Sequence, residues 1–129
     1  MSTTPVVVAV IGMDQPGVVA CVSERLTALG CNIIELTQST LRKQFSAIYI
    51  VDCPEAVALG RLQAELEAAV AARHLRLSVV TRAYELPAAG AEPPASEPFV
   101  VSVYGADRND LVGTFARIFG CHGINIENL

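Results

Sequence analysis

Residues 12–19 read Gly-Met-Asp-Gln-Pro-Gly-Val-Val, and residues 30–33 read Gly-Cys-Asn-Ile; the segment they bound separates two runs with the composition of strands. Gly12 ends the apolar run of residues 6–11, whose four valines and one isoleucine predict a central strand buried on both faces. Asp14 offers a side-chain acceptor to free backbone N–H groups, Pro16 has the fixed φ of a first helical turn, and Gly17 adds no side chain there. From Val18 the apolar positions Val18, Val22, Leu26 and Leu29 recur every three or four residues, with Ser23, Glu24, Arg25 and Thr27 between them. That spacing predicts an amphipathic helix, and Gly30 suits its left-handed stop. Most of the unit returns near the C-terminus. Residues 105–112 read Gly-Ala-Asp-Arg-Asn-Asp-Leu-Val and residues 123–126 read Gly-Ile-Asn-Ile, at a constant offset of 93 positions.

Asn32 opens a second strand, residues 33–41, which grows polar through Thr37, Gln38, Ser39 and Thr40 and so predicts a sheet edge. Arg42, Lys43 and Gln44 form a short charged turn into a third strand, residues 45–51, rich in Ile, Tyr and Val; the two strands predict an antiparallel hairpin. Residues 52–55, Asp-Cys-Pro-Glu, have the acceptor, proline and glutamate of a helix start. Leu59, Leu62, Leu66 and Val70 then mark the buried stripe of a second helix. In residues 75–84, Leu75, Leu77, Val79 and Thr81 alternate with Arg76, Ser78, Val80 and Arg82, as in a strand with one wetter face. Strand, helix, strand, strand, helix, strand with right-handed crossovers predicts an α+β, ferredoxin-like βαββαβ sandwich: a four-stranded antiparallel sheet with both helices on one face.

Residues 86–98 hold four prolines without periodicity and predict a semi-extended linker. The expected organisation is therefore a first domain at 1–85, the linker, and a partial second unit at 99–129. In that unit residues 99–104 repeat the first strand, 111–119 the helix and 123–126 the start of the second strand. The first and second strands are not neighbours in the expected sheet, so this βαβ half-unit is not expected to close a sheet of its own.

A chain that is 52% apolar and 17% charged has ample core material and too little charge density for disorder. Nine basic against thirteen acidic residues give a net charge of −4, and the basic residues cluster no further than Arg42-Lys43, a poor footprint for direct nucleic-acid contact. Cys21, Cys31, Cys53 and Cys121 form no Cys-x-x-Cys pair, so a reduced, cytoplasmic protein with small buried cysteines is expected, without a metal centre. The N-terminus lacks the basic region of a secretory signal, and no apolar stretch is long enough to span a bilayer. No nucleophile, base and orienting group can be assembled into a catalytic set.

Gly-x-Asp-x-Pro-Gly after a first strand, a helix of about three turns, and Gly-x-Asn-Ile opening the second strand resemble the ACT domain family, through Gly12, Asp14, Pro16, Gly17, Gly30, Asn32 and Ile33. Two such units joined by a proline-rich linker, with no enzyme domain between them, resemble its glycine-cleavage repressor subgroup. The resemblance implies a non-enzymatic regulator with no cofactor, binding a small amino acid such as glycine or serine. It implies a homodimer or higher homo-oligomer, signalling through a protein partner, for a repressor a DNA-binding regulator. The implied ligand residues are Asp14, Gln15, Pro16, Gly17, Val18, Asn32 and Ile33. In the second copy Asp107 and Asn125 match Asp14 and Asn32, but Asn109-Asp110 replaces Pro16-Gly17 and puts a carboxylate where a ligand carboxylate would approach. The residues alone leave other roles open: Asp14 as a helix cap, Gly12 and Gly30 as backbone requirements, Asn32 as a turn residue, and the whole chain as the regulatory region of an enzyme of amino-acid or one-carbon metabolism.

Overall fold

The computed structural model describes residues 2–85, 97, 99–105 and 111–127, and the chain divides into two compact units, Met1–Glu92 and Pro93–Leu129. In the first unit β1 (Thr3–Met13), α1 (Val18–Ala28), β2 (Asn32–Leu41), β3 (Gln44–Pro54), α2 (Leu59–Ala72) and β4 (Leu77–Ala83) follow the expected order. All strand pairs are antiparallel and the sheet order is β2-β3-β1-β4, which is the ferredoxin-like arrangement.

Side chains alternate across a strand, so one face of the sheet collects Val6, Val8 and Val10 of β1 with Phe45, Tyr49 and Val51 of β3. Val18, Val22 and Leu26 of α1 and Leu62, Leu66 and Val70 of α2 close over them as a single aliphatic core. The expectation that β1 is buried on both faces is not met in this unit. Val7 and Ala9 are only half-buried and Ile11 is 59% exposed, because both helices cover the same side. A second correction concerns residues 52–55. They do not start a helix, since Thr3, Thr4 and Pro5 lengthen β1 and pair with Pro54, Cys53 and Asp52. The ladder outcompetes the local helix signal, and α2 begins only at Leu59 with Ala58 as its N-cap.

Both helices end in the same hydrogen-bonded motif. After α1, Gly30 N–H donates to Thr27 C=O at 3.0 Å and Cys31 N–H to Leu26 C=O at 2.9 Å, with Gly30 at φ 84. After α2, His74 N–H donates to Ala71 C=O at 3.0 Å and Leu75 N–H to Val70 C=O at 3.1 Å, but the left-handed position is held by a histidine, at φ 57. The edge strand β4 is held by Gln63 of α2, whose Oε1 accepts Thr81 N–H at 2.8 Å while its Nε2–H donates to Val79 C=O. At the opposite edge, β2 and β3 join through Arg42 and Lys43, at φ 47 and 67, a two-residue turn usually left to Asn-Gly.

In the second unit α3 (Leu111–Cys121) begins and ends 93 residues after α1. Its stop repeats that of α1 bond for bond: Gly123 N–H to Gly120 C=O at 3.1 Å and Ile124 N–H to Phe119 C=O at 2.8 Å, with Gly123 at φ 70. Residues 99–104 and 123–126, expected to repeat strands, form no ladder among the described residues. A strand exists through its neighbour's hydrogen bonds, and the repeat supplies only counterparts of β1 and β2, which β3 separates. Among the described residues no helix is long and apolar enough to cross a membrane.

Three outcomes follow for stability. A Cβ on Gly12 would lie 2.1 Å from Arg76 C=O, so Gly12→Ala will lower the unfolding free energy by about 1–3 kcal/mol in urea titrations. His74→Gly removes a side chain from a left-handed residue and will raise it by about 1 kcal/mol. Burial lifts the Tyr49 phenol above its ordinary value of 10.0, and burial, then the Cys31 sulfur, pushes the Cys53 thiol from 9.0 up to about 12. The unfolded chain loses these protons first, so it binds fewer protons than the fold and stability falls with rising pH. The urea midpoint will therefore decline between pH 9 and 12, less steeply in Cys53→Ala.

Candidate functional site

The loop from β1 to α1 carries Asp14, Gln15, Pro16 and Gly17 and leads into Val18. It is tied on two sides by its backbone. Asp14 N–H donates to Lys43 C=O at 2.8 Å, and Met13 N–H donates to Arg76 C=O at 3.3 Å. Gln15 Oε1 accepts Arg76 N–H at 3.2 Å. These contacts exist because Gly12 stands between Phe45 and Leu77 in the ladder, which brings the β2-β3 turn and the start of β4 to the end of β1.

Gly17, at φ 89, is the N-cap of α1, and its C=O accepts the first helical bond from Cys21 N–H at 2.9 Å. Asp14 is therefore not the cap, and Pro16 precedes the first turn rather than occupying it. No side chain caps α1. Two residues separate Asp14 from the cap position, which the left-handed Gly17 occupies. The first-turn N–H donors, with the positive end of the helix dipole, are left without a side-chain acceptor, and a Cβ on Gly17 would meet nothing within 4 Å. Val18 is buried at 3% exposure, so its side chain belongs to the core.

Arg42, Lys43 and Arg76 join Asp14 and Gln15 at this end of the sheet. The sequence presents the first two as part of a short charged turn and Arg76 on the wetter face of a strand. Their convergence comes from ladder register, a long-range property with no local signature. The turn itself is informative: two cations occupy left-handed positions that glycine and asparagine fill at lower cost.

Asn32 and Ile33 lie elsewhere. Asn32 faces Asp52, which faces Pro5, whereas Met13 faces Gln44 at the far end of the sheet. The chain returns along α1 before β2 starts, so the two halves of the expected site are separated by the 11-residue helix, about 16 Å. One chain does not bring them together. Ile33 is half-buried against the core and Asn32 is exposed. In the second unit Asn125 is exposed after α3, and Asp107 lies outside the described residues. Among the described residues no three or more His, Cys, Asp or Glu side chains converge as a metal site would require.

Residues 4–80 match the family model of the ACT domain. Over 67 residues the chain is 43% identical to a UPF0237 protein of Methanopyrus kandleri, covering 51% of this chain and 74% of that protein. It is 27% identical over 124 residues to the glycine cleavage system transcriptional repressor of Escherichia coli, covering 95% of this chain and 62% of that protein. Among solved structures, an ACT domain protein from Streptococcus pneumoniae superposes with a TM-score of 0.56 at 27% identity, over 64% of this chain and 91% of that one. The matched segment runs from the first residues of β1 into β4 and so contains the loop, both helices and the β2-β3-β1-β4 order: the chain belongs to the ACT domain family.

Proposed function

We propose that the chain is a cytoplasmic, non-enzymatic regulator that binds a small amino acid, glycine or serine first among them, at the loop between β1 and α1. The observation that carries this reading is the uncapped start of α1, open beyond Gly17 and bordered by groups of both charges. A free amino acid presents a carboxylate and an ammonium a few ångströms apart. The first-turn N–H groups favour the carboxylate, with Arg42, Lys43 and Arg76 adding positive potential, and the absence of a side chain at Gly17 lets it come close. Asp14 meets the ammonium, and Gln15 adds a side-chain amide.

Asn32 and Ile33 take part through a second copy. β2 is an edge strand with nine of its ten residues exposed, including Ile34 at 54% and Leu41 at 76%. Antiparallel pairing of two such edges carries the partner's Asn32 toward Leu41, at the end of the sheet that holds the loop. The homodimer then has two equivalent sites. The net charge of −4 favours signalling through a protein, and the similarity to a protein named as a transcriptional repressor favours a DNA-binding regulator as that partner.

Calorimetric titration of the common amino acids into the full chain will show saturable binding of glycine or serine, and Gly17→Leu will abolish it. The substitution meets open space, so its cost to the fold is the left-handed backbone strain of about 1–2 kcal/mol, and circular dichroism will show the fold retained. Silence toward every amino acid in a folded dimer would sink the reading.

A further inference from the structure

We propose that Cys31 and Cys53 form a reversible, peroxide-dependent disulfide that staples the start of β2 to the end of β3. Asn32 pairs with Asp52, and the same register places Cys31, the residue before, opposite Cys53. Their sulfurs lie 2.7 Å apart, against about 2.0 Å for bonded sulfurs, so closure needs less than an ångström of movement. Cys31 N–H is committed to Leu26 C=O at 2.9 Å, so this cross-strand pair is not joined through that amide. Cross-strand pairs without mutual hydrogen bonds bring Cα atoms to about 4.5 Å, inside the span a disulfide bridges. The other cysteines are placed differently. Cys21 Sγ–H points to Ala69 C=O at 3.5 Å in the seam between α1 and α2, and Cys121 is exposed on α3.

Both thiols are buried, at 5% and 1% exposure, but Cys53 also lines a cleft of about 130 Å³ with Thr4, Pro5, Val57 and Leu62, wide enough for a peroxide. One sulfur, as thiolate, attacks a peroxide oxygen, breaks the O–O bond and becomes a sulfenic acid; the departing hydroxide takes up a proton as water. The second sulfur, losing its own proton, displaces hydroxide from the sulfenic sulfur, and that leaves as a second water. Two thiols and one peroxide thus give one disulfide and two waters. Burial, then the Cys31 sulfur, raises the Cys53 thiol to about 12, so its thiolate is scarce and the bond forms slowly, in proportion to the peroxide supplied. The bond closes a loop that contains all of β2 and the hairpin turn, and holds the left-handed Gly30 against Pro54, whose Cγ is already 3.2 Å from where a Cβ on Gly30 would sit.

The test uses the full chain carrying Cys121→Ser, which removes the exposed thiol that would link chains. After peroxide treatment and denaturing alkylation, Cys21 will remain fully alkylated. Cys31 and Cys53 will be recovered as one linked peptide, lighter by two hydrogens and separable by reductant, and the oxidised protein will melt several degrees higher. Cys53→Ala will abolish the linked peptide; if it does not fold, Cys31→Ala serves as the same control. Full alkylation of Cys31 and Cys53 after treatment, separate sulfinic acids at the two positions, or a link through Cys21 would overturn the assignment.

Discussion

The approach of the Arg76 carbonyl to Gly12, where even a methyl group would come within 2.1 Å, fixes how β1 sits between β3 and β4. β1 is bonded on both edges, to β3 and to β4, so its register sets how those two strands lie against each other. Once Gly12 faces Phe45 on one side and Leu77 on the other, the carbonyls of Lys43 and Arg76 fall where Asp14 and Met13 donate. The loop is thus positioned by backbone hydrogen bonds to both neighbouring strands, with Gln15 Oε1 adding one side-chain tie to Arg76 N–H. A site built in this way keeps its shape at little cost in specificity, because backbone donors set its geometry while side chains set its charge.

The part of the fold written in periodicity was legible in the sequence. The stripes Val18, Val22, Leu26 and Leu62, Leu66, Val70 and the β4 residue Val79 bury as their spacing requires, with Leu77 half-buried, whereas Leu59, expected on the second stripe, is 39% exposed at the first position of α2. What was not legible is what depends on a neighbour. The run from Val6 to Ile11 contains no polar residue to show that one of its faces lacks helices. The helix signal of Asp52 and Pro54 is sound locally and loses only because Thr3 and Thr4 are present to pair. The candidate site divides along the same line. That a helix starts near Gly17 was legible, but the sequence offers Asp14 as its cap and so hides the open start, and the arrival of Arg42, Lys43 and Arg76 and the distance of Asn32 follow from strand order.

The second unit isolates the same distinction. Gly123 and the residues around it reproduce the stop of α1 bond for bond, since a helix and its cap are satisfied within one short segment. Its counterparts of β1 and β2 have no such autonomy, for each needs the β3 that lies between them in the first unit. Membership of the ACT domain family therefore rests on the first unit, whose match stops at residue 80. The similarity to the repressor extends over 95% of the chain and is the thinner of the two.

The placement of Asn32 at the far end of α1 from Gly17 has a thermodynamic reading. If the ligand site draws these residues from two chains, amino-acid binding and chain association are one linked equilibrium, and each strengthens the other by the same factor. Dilution would then weaken ligand affinity with no change in any contact. A cell using such a site would read the abundance of the regulator and the abundance of its amino acid as a single quantity.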